Sequence, residues 1–276
     1  EMFLKLENMQ VTGSFKARGA MNAALALDED KRANGLCTAS GGNHGMGVIH
    51  AARILGVPVK IFLPTNTPKP KVEKLRAQGV DVALTGAVWD DANRAAMDHA
   101  RQSNMAYIHP FADPKVIAGQ GTIALEMLEQ QPDLDTLVVA IGGGGLISGV
   151  ATAARLLRPA IRIIGVEPTG AATLFESLKA GEVVTLPTVN TAATSLAPRQ
   201  SSALNVDLIG KNVDRIALVS DEEMQQAASW LWRELGIAVE LSAAAGMAAI
   251  MKDRLGVSDP GRIGVIICGT GNDGMK

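Results

Sequence analysis

One lysine is placed where an ammonium is disfavoured. Lys16 follows the turn Thr12-Gly13-Ser14-Phe15, which links an apolar strand-like entry at Leu4-Lys5-Leu6 to a helix over about Phe15 to Leu27, with Ser14 as its cap. The positive end of the helix dipole disfavours the charged amine in that first turn. A lysine with a reason to be neutral is a candidate nucleophile, because the neutral amine condenses with a carbonyl to a Schiff base. A cofactor carrying both a carbonyl and a phosphate would also give nearby helix ends an anion to bind. An isolated Ser-x-Lys more often marks a solvated lysine opening a surface helix.

Two turns have the composition of anion sites. The continuous apolar run Leu137-Val138-Val139-Ala140-Ile141 reads as a buried parallel strand and feeds Gly142-Gly143-Gly144-Gly145-Leu146. Consecutive glycines let backbone wrap an anion at the start of the next helix. The dinucleotide fingerprint fails because Ile147 stands where a glycine is required, and Gly210-Lys211 lacks the rest of a P-loop. Tight packing remains an alternative use of these glycines. A second turn, Ser40-Gly41-Gly42-Asn43-His44-Gly45, joins the short strand Gly35–Ala39 to a helix over about Asn43 to Leu55. Taken alone it is a weak signal. The histidines His44, His50, His99 and His109 have no metal-ligand spacing.

The elements that must carry these turns alternate. Strands are expected at Val57–Leu63, Val80–Leu84, Met105–Ile108, Ile161–Val166, Ile216–Val219 and Ile263–Cys268. Helices are expected over about Lys71–Gln78, Ala87–Gln102 and Val116–Gln130, then after the capping box Ser220-Asp221-Glu222-Glu223 and after Ser242. Residues 181 to 215 are the least regular part. The charged run at 28 to 32 reads as a solvated face. The break His109-Pro110-Phe111-Ala112-Asp113-Pro114 and the glycine at 35 bound an inserted block, so a large domain of residues 1–34 and 112–276 is expected around a small one of 35–111. A cleft between such parts is a common ligand site.

Composition agrees with an α/β protein: of 276 residues, 47% are hydrophobic and only 3% aromatic, with 29 glycines. A net charge of −2 leaves no electrostatic footprint for nucleic acid or an anionic membrane. Cys37 and Cys268 cannot build a disulfide framework, and neither a signal peptide nor a membrane-spanning run is present, which points to the cytoplasm.

The stretch Lys5-x-Glu7-Asn8-x-Gln10-x-Thr12-Gly13-Ser14-Phe15-Lys16-x-Arg18-Gly19-Ala20 resembles the lysine loop of the fold type II (tryptophan synthase β-like) pyridoxal phosphate enzymes, in particular the threonine/serine dehydratase and serine racemase branch. The resemblance extends through the Ser40, Gly142 and Cys268 motifs. It implies two open, mostly parallel sheets flanked by helices, with pyridoxal 5'-phosphate in the inter-domain cleft. It assigns the Schiff base to Lys16 beside Phe15, the ring hydroxyl to Asn43, the phosphate to Gly142, Gly143, Gly144 and Gly145 with Leu146, and the ring nitrogen to Cys268, or Thr270 if the register slips by two. Ser40, Gly41, Gly42, Asn43 and His44 are implied as the substrate-carboxylate loop. His44 by itself reads as a structural helix-start residue. Glu167 matches one carboxylate of a divalent-cation site, but its aspartate partner is replaced by Thr173, so no metal is expected.

The implied activity is dehydration of a β-hydroxy-α-amino acid to a 2-oxo acid and ammonia, with threonine or serine as default substrate. A serine racemase-like isomerase is the alternative. Ala193-Thr194-Ser195 replaces the family's Ala-Asp-Gly near the substrate side chain, which keeps phenylserine, 3-hydroxyaspartate or a hydroxyectoine-derived amino acid open. A homo-oligomer, dimer or tetramer, is expected. The chain opens in the strand before the lysine, where relatives carry a further helical segment, and it stops at Lys276, so feedback inhibition by isoleucine is not expected.

Racemisation needs an acid/base group on each face of the planar carbanion. Lys16 serves one face. The branch's second group is a serine immediately before Gly-Asn-His, and here that position is Gly41. L-serine or L-threonine should therefore give 2-oxo acid with negligible D-enantiomer, and Gly41→Ser should raise racemisation at the expense of dehydration. Chiral chromatography of the products checks both, and substantial D-enantiomer from the unmodified protein would refute the assignment.

Overall fold

A computed structural model describes residues 1–275. The chain runs β1 (Met2–Lys5), α1 (Lys16–Leu25), α2 (Glu29–Ala33), β2 (Leu36–Thr38), α3 (Asn43–Leu55), β3 (Val59–Leu63), α4 (Lys69–Arg76), β4 (Asp81–Leu84), α5 (Trp89–Ser103) and β5 (Ala106–Tyr107). It continues through α6 (Pro114–Gln130), β6 (Thr136–Ala140), α7 (Gly145–Leu157), β7 (Arg162–Pro168), α8 (Thr173–Ala180), α9 (Ala203–Asn212), β8 (Arg215–Val219), α10 (Asp221–Leu235), α11 (Ala245–Met251) and β9 (Ile263–Ile266).

The strands form two sheets, ordered β1-β9-β6-β7-β8 and β4-β3-β2-β5. Every pairing between them is parallel. The helical connections follow from that, since a parallel neighbour can be reached only by a crossover. The fold is thus α/β with two parallel sheets flanked by helices. None of the described helices is long and apolar enough to cross a membrane.

Two compact units emerge: Glu1–Phe15 with the described residues from Gln120 on, and Lys16–Gly119. The division differs from the one read off the prolines and glycines. Residues 16–34 join the second unit because Ala20, Ala23 and Ala24 of α1 share a core with Val48, Ala51 and Ala52 of α3. At Gly47, a Cβ would lie 2.9 Å from the Lys16 carbonyl oxygen. At Gly119 it would lie 2.7 Å from the Gly19 Cα, which draws the start of α6 to the same unit.

The capping box forms as expected: Ser220 Oγ accepts from Glu223 N, and Glu223 Oε2 accepts from Ser220 N. Other caps differ. Ser14 Oγ is buried without a hydrogen bond, so α1 begins at Lys16 with no cap from this side chain. Ser242 lies in a 3-10 turn, Leu241–Ala244, and its hydroxyl donates to Ser195 Oγ at 3.0 Å instead. Residues 181–215 are more regular than expected, because α9 starts where Ser202 Oγ accepts from Asn205 N.

The core of the first unit fixes the end of β6. Gly165, on β7, pairs with Val139, and a Cβ there would lie 2.3 Å from Ile141 Cδ1 and 2.9 Å from Ile147 Cδ1. Gly165→Ala is therefore expected to destabilise the chain by about 1–3 kcal/mol through overpacking, as measured by urea unfolding.

Candidate active site

In the first unit, the order β1-β9-β6-β7-β8 reverses direction between β6 and β9. Ligands of open parallel sheets bind outside the strand ends at such a switch point. The turns leaving β6 and β9 are Gly142–Gly145 and Cys268–Gly271. The first is shaped by absent side chains: a Cβ on Gly142 would sit 2.6 Å from the Ser195 carbonyl oxygen, and one on Gly144, at φ 92°, would sit 2.8 Å from Leu174 Cδ1. The Gly143 carbonyl is tied back by Asn205 Nδ2 at 2.7 Å and Ser201 Oγ at 2.9 Å. Gly144 caps α7 with no side chain, so the N–H groups of the first helical turn have neither an intrahelical partner nor a side-chain cap. The Leu146 side chain is turned into the core, leaving its backbone in that turn.

Cys268 is buried with Phe15 in the same core. Its carbonyl accepts from Phe15 N at 3.2 Å, Ser14 bridges Gly269, and Gly13, at φ 76°, approaches the Thr270 methyl. Thr270 itself is exposed. Thr12 adopts φ 69°, a left-handed conformation that a β-branched residue takes only when its surroundings impose it. Beside these turns Ser195 Oγ donates to Glu240 Oε2 at 3.0 Å. Sequence reading singled out Ser195 but not Glu240, Ser201 or Asn205, whose partners lie tens of residues away in the chain.

Glu167, at the end of β7, is fully buried. Its carboxylate accepts Leu174 N at 2.9 Å and Phe175 N at 2.8 Å, so it seats the start of α8. Thr173 Oγ1 donates to the Pro198 carbonyl. Among the described residues no group of three or more His, Cys, Asp or Glu side chains could hold a metal ion. Burial pushes the Glu167 carboxyl up to about 7 against the opposing pull of the two N–H donors.

In the second unit, the order β4-β3-β2-β5 reverses between β2 and β5. The turns leaving those strands are Ser40–Gly42 and Ile108–Ala112. Ser40 Oγ accepts from Gly42 N at 3.3 Å, and a Cβ on Gly45 would lie 1.8 Å from the Ser40 carbonyl oxygen, so the turn closes tightly over the first turn of α3. Gly42 precedes α3 and gives it no side-chain cap. At Gly41 a Cβ would meet Leu63 Cδ2 at 3.0 Å and Lys71 Cε at 3.1 Å, both ends of flexible side chains.

Lys16 opens α1, and its Nζ donates to the Pro110 carbonyl at 2.7 Å. His44 is buried, with Nε2 bonded to the Ile108 carbonyl at 2.9 Å. A ring held that way keeps its proton on Nε2, because a carbonyl can only accept. Burial, with the Lys16 charge adding to it, pushes His44 down to about 3, and the same two causes push His109 down to about 4. Both imidazoles are neutral near pH 7.

A phosphate-bearing carbonyl cofactor fits these parts on two observations. The Gly142–Gly145 turn packs too closely for a Cβ at Gly142 or Gly144, and the helix start it feeds has no side-chain cap. Lys16 stands at a helix start with its amine donating to the Pro110 carbonyl. The chain matches the family described as pyridoxal-phosphate dependent enzyme over residues 1–269. It is 39% identical over 269 residues to the L-threonine ammonia-lyase of Thermotoga maritima, covering 98% of this chain and 67% of that protein. It is 37% identical over 273 residues to a serine racemase of Oryza sativa subsp. indica, covering 98% and 80%. Among solved structures, maize serine racemase matches with a TM-score of 0.93 at 37% identity, covering 98% of this chain and 83% of that one. The chain belongs to the pyridoxal-phosphate dependent enzyme family, and pyridoxal phosphate is the cofactor this membership implies.

The Glu167 environment gives a stability test. With its pKa raised, the folded state keeps a proton that the unfolded chain has lost between the ordinary carboxylate range and pH 7. Stability from this group is thus present at acid pH and lost as pH rises through that window, by about 1 kcal/mol per pH unit at the steepest. Urea unfolding across the window should show this fall in the unmodified protein and a shallower one in Glu167→Gln.

Proposed function

We propose that this chain is a pyridoxal phosphate-dependent ammonia-lyase that dehydrates a β-hydroxy-α-amino acid of the threonine/serine class to a 2-oxo acid. The observation that carries the reading is Lys16: a helix-start amine with a fixed carbonyl acceptor, in a unit whose strand-order reversal also presents the Ser40–His44 turn. The threonine ammonia-lyase named among the relatives supports it.

In this reading Lys16 would anchor the cofactor and serve as the base that takes the substrate's Cα proton. The cofactor, when bound, supplies the electron sink for the charge left on Cα. Gly142–Gly145 and the α7 N-terminus hold its phosphate, with Leu146 contributing backbone. Asn43 would bond the ring hydroxyl, and Phe15 and Cys268 would help hold the ring, with Cys268 the residue assigned to its nitrogen. A thiol donates a proton less readily than a carboxylic acid, a difference that would suit elimination of the β-hydroxyl. Ser40, Gly41, Gly42 and the N–H groups of Asn43 and His44 orient the substrate carboxylate at the α3 start. The His44 ring, turned onto Ile108, acts there only as structure.

A serine racemase-like isomerase is the second reading, favoured by the rice and maize proteins of that name. Gly41 weighs against it. The substrate is a small amino acid, and we place the chain in the cytoplasm as a homo-oligomer.

Purified protein with added pyridoxal phosphate should absorb in the visible, and borohydride should fix the cofactor on Lys16, as read by peptide mass spectrometry. Lys16→Ala should bind cofactor poorly and lose ammonia release. An adduct on another lysine, or a colourless protein, would overturn the reading.

A further inference from the structure

The carbonyl that receives Lys16 belongs to a turn shaped by an imidazole. His109 Nδ1 accepts the N–H groups of Ala112 at 2.8 Å and Phe111 at 3.2 Å. Both donors are backbone amides, so Nδ1 must present its lone pair and the ring proton sits on Nε2. An imidazolium would set a third N–H against those two. Burial and then the Lys16 charge keep the ring neutral. The other flank of the turn is fixed as well: the Ile108 carbonyl accepts from Thr38 Oγ1 at 2.8 Å and bonds His44 Nε2 at 2.9 Å, while Ile108 N donates to the Cys37 carbonyl at 2.9 Å. The Phe111 ring stands edge-on to His109 with centroids 4.7 Å apart. Pro110 adds a fixed φ and no N–H of its own.

We propose that His109 is a positioning residue for Lys16, folding residues 109–112 so that the Pro110 carbonyl receives the Lys16 ammonium in one place. The use of that ammonium rests on the lyase reading. When Lys16 takes the Cα proton, the C–H electron pair stays with the carbon skeleton and the proton joins Nζ. The ammonium so formed has its acceptor ready at 2.7 Å. A charge-assisted hydrogen bond to a fixed acceptor stabilises it more than water does in a partly buried site. The same turn holds the amine still when it is not engaged.

The test reads the lysine itself. The full chain, stripped of cofactor, is labelled with a trace amine-reactive reagent near neutral pH, and Lys16 modification is followed by peptide mass spectrometry. Because only the neutral amine reacts, His109→Ala should label Lys16 about tenfold faster, the loss of one hydrogen bond to a charged group. His109→Asn places an acceptor oxygen where Nδ1 stood and should return the rate to that of the unmodified protein. His109→Gln carries its amide one carbon further and should label fast. An unchanged rate in His109→Ala with an unaltered circular dichroism spectrum would overturn the proposal. Should His109→Ala fail to fold, equal rates for His109→Asn and His109→Gln would overturn it. The labelling needs no bound cofactor, so it stands or falls apart from the visible absorption that decides the lyase reading.

Discussion

A helix that follows a parallel strand begins with N–H groups that nothing in the helix can satisfy, and the whole molecule is arranged around where those groups point. Each sheet has a place where successive connections leave in opposite directions, β6/β9 in one and β2/β5 in the other. There two strand exits lie side by side with no helix crossing over them. Glycines occupy both helix starts, Gly144 before α7 and Gly42 before α3, so neither helix takes a cap from the side chain of its own N-cap residue. Buried strands do the supporting: β6 is wholly buried, and its register with β7 and β9 sets where Gly142 emerges.

Lys16 meets the opposite electrostatic problem, a cation at the positive end of a helix. One answer to it lies in the second unit. The Pro110 carbonyl supplies a dipole, and the two nearby imidazoles are kept uncharged by burial.

Much of this was legible in the sequence because the signals were local. The apolar run into four glycines, the Ser40 turn into α3, and the Ser220 capping box depend on residues a few positions apart. Strand and helix type followed from alternation, with some ends displaced by a few residues, as at α6, which begins at Pro114 and not at Val116, while α3 runs over Asn43–Leu55 as expected. What was hidden is what folding brings together. Ser14 and Ser242 have the composition of caps, but the chain pins Ser14 against Gly269 and turns Ser242 toward Ser195. The tie of Asn205 to Gly143 spans 62 residues, and no periodicity marks it. Residues 16–34 pack with the second unit through alanine-on-alanine contacts, which composition alone does not assign to either side. The His109 turn read only as a break in the pattern, because its function lies in which nitrogen carries the proton.

The two cysteines fall one to each compact unit. Cys37 lies in the core of the second unit, with its thiol pushed up to about 11 by burial and donating to the Ala96 carbonyl. Cys268 lies in the core of the first. Each compact unit thus contains a single sulfhydryl that reagents reach only when that unit opens. The molecule carries its own pair of clocks, and the rate at which each thiol becomes alkylated reports the breathing of one unit independently of the other.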